Sequence, residues 1–379
     1  MDFKFTKEQE LIQKAAREFA EKNIIPYSEQ IEREGKVPDE ILQGMAELEL
    51  FGIAYPEEYG GTGAGYLSYV LACEQIARAN GSVSGLYSVH YLGTSSIASF
   101  ATPEQKAKYL PKAGSGEWIS SFAFTEPSTG SDPKQISTVA VKDGDDYIIN
   151  GVKRFISAAY LPGPIVIFAN DSETGVPTAF LVDKFCPGYT VSEPWKKIGI
   201  HGSKVVDVYL KDVRVPSSAV LGPKGKGYQV LLAGISFGKV GMCAGSLGGM
   251  QAALEASIKY AKEKAHRDGT IAKFPTIQVA IAKMAEKVEA CRWLTYRLAW
   301  LADNTTDLTA FAKQAAMTKA FVAEAGVDVS RLAVGVHGSY GLMEDYLVST
   351  NYCNAIISEQ TEGVADMQRL ITGGALLKE

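Results

Sequence analysis

Apolar residues recur at helical spacing near the start of the chain. Leu11, Ile12, Ala15, Ala16 and Phe19 share one face of a 3.6-residue period, and Thr6 followed by Gln9 is a capping-box pattern that would start the helix. A Gly/Pro-rich break follows at 55–63, and helical texture then resumes near Tyr66 and runs to about Pro111. Beyond it the period shortens. Apolar runs at 139–141 and 147–149 flank Asp143-Gly144-Asp145, a hairpin signal, and Asn150-Gly151 predicts the next turn. Runs at 165–169, 179–182 and 205–210 predict further strands. Many short strands with frequent turns suit a small antiparallel sandwich or barrel, not a doubly wound sheet. The helical period then returns. Ile277, Ile281, Met284, Val288 and Cys291 step by four, three, four and three, a core stripe suited to a helical bundle. Arg267-Asp268-Gly269 breaks one helix and Pro275 begins the next. The expected fold class is mainly α with a β middle domain: an N-terminal α-helical domain over 1–115, an antiparallel β domain over 116–225 and a C-terminal helical bundle over 226–379.

Composition narrows the class. The 379 residues are 46% apolar and 21% charged, which suits two or three packed units and argues against disorder. A net charge of −5 makes the chain a poor generic ligand for nucleic acid or an anionic membrane. The first residues mix charges and lack the apolar core and cleavage site of a signal peptide. No stretch approaches the ~18 apolar residues of a membrane span. A cytoplasmic protein with no membrane insertion is the expectation. The five cysteines are widely separated with no Cys-x-x-Cys pair, which reads as reduced thiols in packed positions.

Several catalytic patterns are absent from the sequence. No Gly-x-Gly-x-x-Gly joins a strand to a helix, and the glycine- and lysine-rich run at 222–227 lacks the Gly-Lys-Ser/Thr ending of a phosphate loop. The four histidines have no metal-ligand spacing, and there is no Gly-x-Ser-x-Gly elbow.

What the chain does contain is a series of segments in a fixed order. They are Pro56-Glu57-Glu58-Tyr59-Gly60-Gly61, the run Ser-Phe-Ala-Phe-Thr-Glu-Pro-Ser-Thr-Gly-Ser-Asp at 121–132, and Asn-Gly-Val-Lys-Arg-Phe-Ile-Ser at 150–157. Lys-Ile-Gly-Ile-His-Gly-Ser at 197–203, Asp-Val-Arg-Val-Pro at 212–216, and Thr361-Glu362-Gly363 with Gln368-Arg369 behind it complete the series. Together these resemble the acyl-CoA dehydrogenase family of flavoenzymes along nearly the whole chain. The resemblance implies that family's fold, in which the C-terminal part is a four-helix bundle.

It also implies a chemistry. Oxidising an acyl thioester needs donors at the carbonyl oxygen, a carboxylate at the α proton and an acceptor for the β hydride that no side chain can be. The resemblance makes FAD that acceptor and Glu362 the base, its pKa raised by desolvation. It gives the carbonyl oxygen to the Glu362 backbone N–H and the flavin ribityl hydroxyl, with Gly363 permitting the tight approach. Phe124 and Thr125 would line the flavin ring, and Ser131 the region between ribityl chain and ligand. Phe155 stands where the family commonly has a Trp, and Ser157 where a Thr hydroxyl bonds flavin N5. In some relatives the base comes from the start of the C-terminal bundle, but here 235–239 reads Ile-Ser-Phe-Gly-Lys, without a carboxylate.

Departures from the pattern cluster on the adenosine side and the subunit contact. Lys239 replaces an Arg near the thioester site, and an ammonium does not reproduce a guanidinium fork. The family's Arg-x-x-Phe-Gly becomes His266-Arg267-Asp268-Gly269, leaving Arg267 to meet a phosphate from a shifted position. Its Gln-x-x-Gly-Gly-x-Gly becomes a run at 335–341 that keeps Gly338 without the Gln. Val364 stands for a hydroxyl residue, and Tyr352-Cys353-Asn354 for Tyr-Arg-Asp. His90 falls in the segment that often shapes the acyl pocket and is a candidate substrate contact. The implied activity is FAD-dependent α,β-dehydrogenation of a small or medium acyl-CoA, with electrons passing to an electron-transfer flavoprotein. A homotetramer, or at least a dimer, is implied because a second subunit completes the FAD site. A dehydrogenase of acyl-carrier-protein thioesters would share these residues, as would an oxidase. A non-catalytic scaffold that lost FAD is the alternative of a different class.

Overall fold

In the computed structural model, which describes residues 4–132 and 135–378, six helices come first. They are α1 (Lys7–Phe19), α2 (Ser28–Glu34), α3 (Asp39–Glu47), α4 (Gly65–Ala79), α5 (Gly81–Phe100) and α6 (Pro103–Gly114). The Thr6–Gln9 capping box is formed in both directions, and Thr102 with Gln105 repeats it at the start of α6.

Eight strands follow: β1 (Ser121–Ala123), β2 (Val139–Asp143), β3 (Asp146–Ser157), β4 (Pro164–Asp171), β5 (Pro177–Asp183), β6 (Tyr189–Val191), β7 (Val205–Pro216) and β8 (Val220–Leu221). They form one sheet in the order β6-β7-β3-β2-β4-β5-β8, with β1 on β4. The hairpin expected around Gly144 joins β2 to β3 in antiparallel register. The sheet is antiparallel except where β4 receives β1 and β2 in parallel.

Asn150-Gly151 is not a turn. Both residues lie inside β3, where the register against β7 shifts between Ile149 and Gly151. A glycine within a strand marks a bulge as readily as a turn, and the long partner strand decides between them. A second shift lies between Lys153 and Ile156, and Phe155 there takes a φ of 58°. This bulge leaves Lys153 inside the sheet and turns the Phe155 ring outward, 52% exposed.

Five helices complete the chain: α7 (Gly227–Glu263), α8 (Pro275–Asn304), α9 (Leu308–His337), α10 (Leu347–Gln360) and α11 (Ala365–Leu376). Between α7 and α8 the chain makes a small hairpin, β9 (Ala265–His266) and β10 (Gly269–Thr270). The break at Arg267 and the restart at Pro275 therefore fall where expected. Met284, Val288 and Cys291 of the α8 stripe are buried, while Ile277 and Ile281 nearer its start are half-buried. The architecture is helical, then β, then helical, with an antiparallel-rich sheet.

Helix α7 is the axis of the molecule, packing on α4, α5, α8, α9 and α10. It contains an 18-residue window apolar enough for a membrane span, which amends the expectation that no stretch comes near one. But 78% of that window is buried inside the protein, so its apolar surface is already covered by neighbouring helices.

Candidate functional site

A cavity of about 1590 Å³ lies between the sheet and the helices, bounded by α5, α7, α10 and α11 on one side and by β1, β3 and the loop after β6 on the other. That exceeds the ~300–1,000 Å³ of an ordinary small-molecule site, leaving room for a large cofactor and a substrate together.

Glu362 supplies its chemistry. Helix α10 ends as the Thr361 N–H donates to Ile357 O, and the chain then turns left-handed at Glu362 (φ 53°) and Gly363 (φ 90°). A left-handed non-glycine residue costs about 1–3 kcal/mol and persists only where its surroundings hold it. Two side chains do so. Lys319 of α9 is wholly buried, and its Nζ donates to Glu359 O and Gly363 O, both at 2.7 Å, one on each side of the base. Gln368 of α11 donates from Nε2 to Glu362 O (3.3 Å) and Gly363 O (3.2 Å), and packs so closely on Gly363 that a Cβ there would collide with it.

Held this way, Glu362 points into the cavity with a buried Oε2 that has no hydrogen-bond partner. Burial pushes its pKa up to about 7, against the opposing pull of the Lys239 and Lys319 ammonium groups. Lys239, buried on α7, also lines the cavity, and burial brings its own pKa down to about 8. Gly238 makes space for the carboxylate. A Cβ there would stand 3.0 Å from Glu362 Oε2 and 2.7 Å from Leu92 Cδ1.

The opposite wall comes from the sheet. Phe124, Thr125 and Ser131 line it from the segment after β1, and Phe155 and Ser157 from the end of β3. The two segments are tied together. Arg154 N–H donates to Thr125 O, and Lys153 Nζ bonds Glu126 Oε1 at 2.8 Å in an ion pair with both side chains at zero exposure. Burial works against the Glu126 charge, yet Lys153 and the hydroxyls of Ser137 and Thr138 bring its pKa down to about 2. Trp195 stands edge-on to Phe155, ring centroids 5.4 Å apart, and its indole N–H donates to Asp207 Oδ1. Arg154 also bonds Asp207 and lies over both rings. This wall offers aromatic faces beside three hydroxyl residues.

Of the residues named from sequence, Glu362, Gly363, Lys239, Phe124, Thr125, Ser131, Phe155 and Ser157 meet in this one cavity. Three do not. His90 is wholly buried on the far side of α5, with Nε2 on Phe51 O and Nδ1 accepting from Ser120 N–H. Its burial pushes its pKa down to about 3. Val89 and Leu92 of the same helix line the cavity instead, so His90, expected as a substrate contact, is not placed to be one. Arg267, in the β9–β10 turn, and Gly338, at the end of α9, are exposed and lie off this chain's own cavity. Lys319 and Trp195 are not marked by any motif in the sequence, and Gln368 entered only as part of the Gln368-Arg369 pair behind the base, without a role. A lysine among Ala315, Ala316, Ala320 and Ala323 on a buried helix was a usable signal for the first, since buried lysines need partners. Nothing local marks Trp195.

Comparison with known proteins agrees with this arrangement. Family models match in three consecutive pieces: the acyl-CoA dehydrogenase N-terminal domain at residues 6–117, the middle domain at 121–213 and the C-terminal domain at 225–377. The chain belongs to the acyl-CoA dehydrogenase family. A probable acyl-CoA dehydrogenase of Bacillus subtilis, YngJ, is 36% identical, with all of both chains covered. The CarC subunit of the caffeyl-CoA reductase–Etf complex of Acetobacterium woodii is also 36% identical, covering 99% of this chain and 100% of that one. Among solved structures, butyryl-CoA dehydrogenase from Megasphaera elsdenii superposes with a TM-score of 0.95 at 32% identity over the full length of both chains. This acyl-CoA dehydrogenase is thus an FAD-dependent oxidoreductase acting on a CH–CH bond of an acyl-CoA. The cavity fits that cofactor in size, in its aromatic and hydroxyl-bearing β wall, and in the unpaired buried carboxylate across from it.

Proposed function

We propose that the protein interconverts a saturated acyl-CoA and its α,β-unsaturated counterpart, with Glu362 exchanging the α proton. The carrying observation is the buried, unpaired Glu362 Oε2 facing the cavity. A carboxylate whose pKa lies near 7 is matched to abstracting a proton at neutral pH and to returning it. Thr125, Ser131, Ser157, Phe124, Phe155 and Trp195 would hold the cofactor. When bound, FAD supplies the hydride acceptor at the β carbon.

The rest falls to the chain. The Glu362 N–H lies beyond the last helical bond of α10, and we assign it to the thioester carbonyl oxygen, where it steadies the charge that builds as the α proton leaves. Lys319 and Gln368 keep that N–H and the carboxylate on one rigid turn. Lys239 keeps the site's charge nearly balanced when Glu362 ionises. Run in the opposite direction, Glu362 delivers the proton to the α carbon, and the reductase name of the CarC relative supports such reversibility. The Etf complex in that name supports an electron-transferring flavoprotein as partner here. A homo-oligomer, in which Arg267 and Gly338 serve a neighbouring subunit's cofactor, completes the proposal.

The test is an anaerobic absorbance titration of the flavin-loaded protein with acyl-CoAs and acyl carrier proteins, one at a time. Bleaching by an acyl-CoA that is lost in Glu362→Gln supports the reading. Bleaching by a carrier-bound acyl group alone would move the substrate to carrier proteins, and a Glu362→Gln protein that still bleaches at the wild-type rate would refute the base.

A further inference from the structure

One buried cation of the β wall has no part in the chemistry described above. Lys184 follows β5 directly, and its side chain runs inward until only 7% of the residue is exposed. Its Nζ donates to three backbone carbonyls: Ile119 O at 2.6 Å, Ala158 O at 2.9 Å and Leu161 O at 3.0 Å. Ala158 and Leu161 bracket the turn that follows Ser157 at the end of β3. There Ala158 is left-handed (φ 55°), and the Leu161 N–H donates to Ala158 O. Ile119 lies in the approach to β1, and its N–H donates to Pro162 O. The lysine thus joins the two segments that frame Ser157, whose own carbonyl accepts from Ser121 Oγ of β1.

The same contacts fix its charge. An ammonium has three N–H donors; a neutral amine has one fewer, and its lone pair would face a carbonyl oxygen. Burial presses the Lys184 pKa well below that of an ordinary lysine, but three carbonyl contacts are satisfied only by the protonated form. Among the described residues no carboxylate lies within ion-pair distance of it. The adjoining Asp183 turns to Lys108 at 2.8 Å, and His90, which accepts from Ser120 N–H, is kept neutral by its burial. Elsewhere on the wall Lys153 is paired with Glu126, and Arg154 with Asp207. Lys184 therefore leaves the wall with a positive charge that carbonyl dipoles solvate but do not cancel.

That charge lies close to where electrons arrive. Standard bond lengths through Ala158 put Lys184 Nζ within ~12 Å of the Ser157 hydroxyl, on the cavity wall. A hydride leaving the substrate's β carbon brings two electrons and one proton to the cofactor ring, while the α proton goes to Glu362. The ring therefore gains one negative charge, and a fixed cation nearby lowers its cost. At ~12 Å and an effective dielectric of ~20, one unit charge alters an equilibrium constant about tenfold.

We propose that Lys184 poises the bound flavin for reduction, acting as a positioning residue for Ser157 and as the standing positive charge of this wall. The inference rests on the seating of the cofactor against Ser157 proposed above.

Dye-coupled reduction titrations of the flavin-loaded protein, without substrate, test it. Lys184→Gln keeps donors for the carbonyls and removes the charge, Lys184→Met removes both, and Lys184→Arg keeps the charge. In the first two the equilibrium constant for reduction should fall about tenfold, which is ~30 mV for a two-electron couple. Lys184→Arg should recover much of that fall. Oxidised flavin carries no added charge, so Lys184→Gln should bind it about as tightly as wild type. An unchanged constant in Lys184→Gln, a Lys184→Arg constant no higher than that of Lys184→Gln, or loss of oxidised flavin from Lys184→Gln would overturn the inference. These potentials need no substrate. A protein that shows them and turns over no acyl-CoA would refute the proposed function and leave Lys184 its role, whereas a flavin absorbance band unmoved by Ser157→Ala would refute the seating on which both rest.

Discussion

Replacing Glu362 by Gln should abolish turnover and at the same time make the protein more stable, by an amount that grows with pH. In the folded chain burial holds the Glu362 pKa at about 7, against 4.5 for an unperturbed glutamate. The folded state thus binds this proton more tightly than the unfolded state, and between pH 4.5 and 7 stability falls as pH rises. A displacement of two and a half pKa steps at ~1.36 kcal/mol each amounts to ~3 kcal/mol, fully expressed above pH 7. Glutamine fills the same space without a charge to desolvate, so the variant escapes this loss. Its unpaired side-chain oxygen costs about the same at every pH and cancels from the comparison. Measured by thermal or urea unfolding at pH 5 and pH 8, the stability gain of Glu362→Gln over wild type should be ~2.5 kcal/mol larger at pH 8. An equal gain at both pH values would show that Glu362 ionises in the folded protein as it does in water, and would remove the argument that its environment prepares it to act as a base.

Two further outcomes are expected. Lys319→Met removes two charge-assisted bonds of ~1.5–3 kcal/mol each from the base turn, together with a cation that lowers the Glu362 pKa. The maximal rate should fall, and the acid limb of the pH profile for kcat/KM should move to higher pH; a limb that stays in place would limit Lys319 to a packing role. Lys153→Met strands the buried Glu126 carboxylate, which should cost ~3–5 kcal/mol of stability and loosen flavin retention. Adding Glu126→Gln should restore much of both in denaturation and flavin-content measurements, and a double variant no better than the single one would show that the pair is not the anchor of this wall.

The sequence was most legible where the controlling interaction is local, and least where the partner lies far along the chain. The Thr6–Gln9 cap, the hairpin at Gly144 and the buried part of the α8 stripe each rest on residues within a turn or two of one another, and all form. The parallel seating of β1 and β2 on β4 depends on pairings tens of residues apart and has no local pattern. His90 failed as a pocket residue for a related reason: α5 is buried on nearly all sides, so its periodicity does not say which face meets the cavity. Lys319 acts on carbonyls 40 and 44 residues away. The bundle segment at 235–239 was legible as a departure, through a missing carboxylate and a lysine in place of an arginine, but sequence did not show what surrounds these two positions. A side chain at 238 would press on Glu362 Oε2, so the glycine clears the space that the carboxylate from 362 occupies. The adjoining cation is then buried beside that carboxylate, and the compact ammonium of Lys239 meets the need for charge balance without the planar fork an arginine would have to seat there. The site is thus built around a single base, with Gly238 leaving room for its carboxylate and Lys239 buried close by.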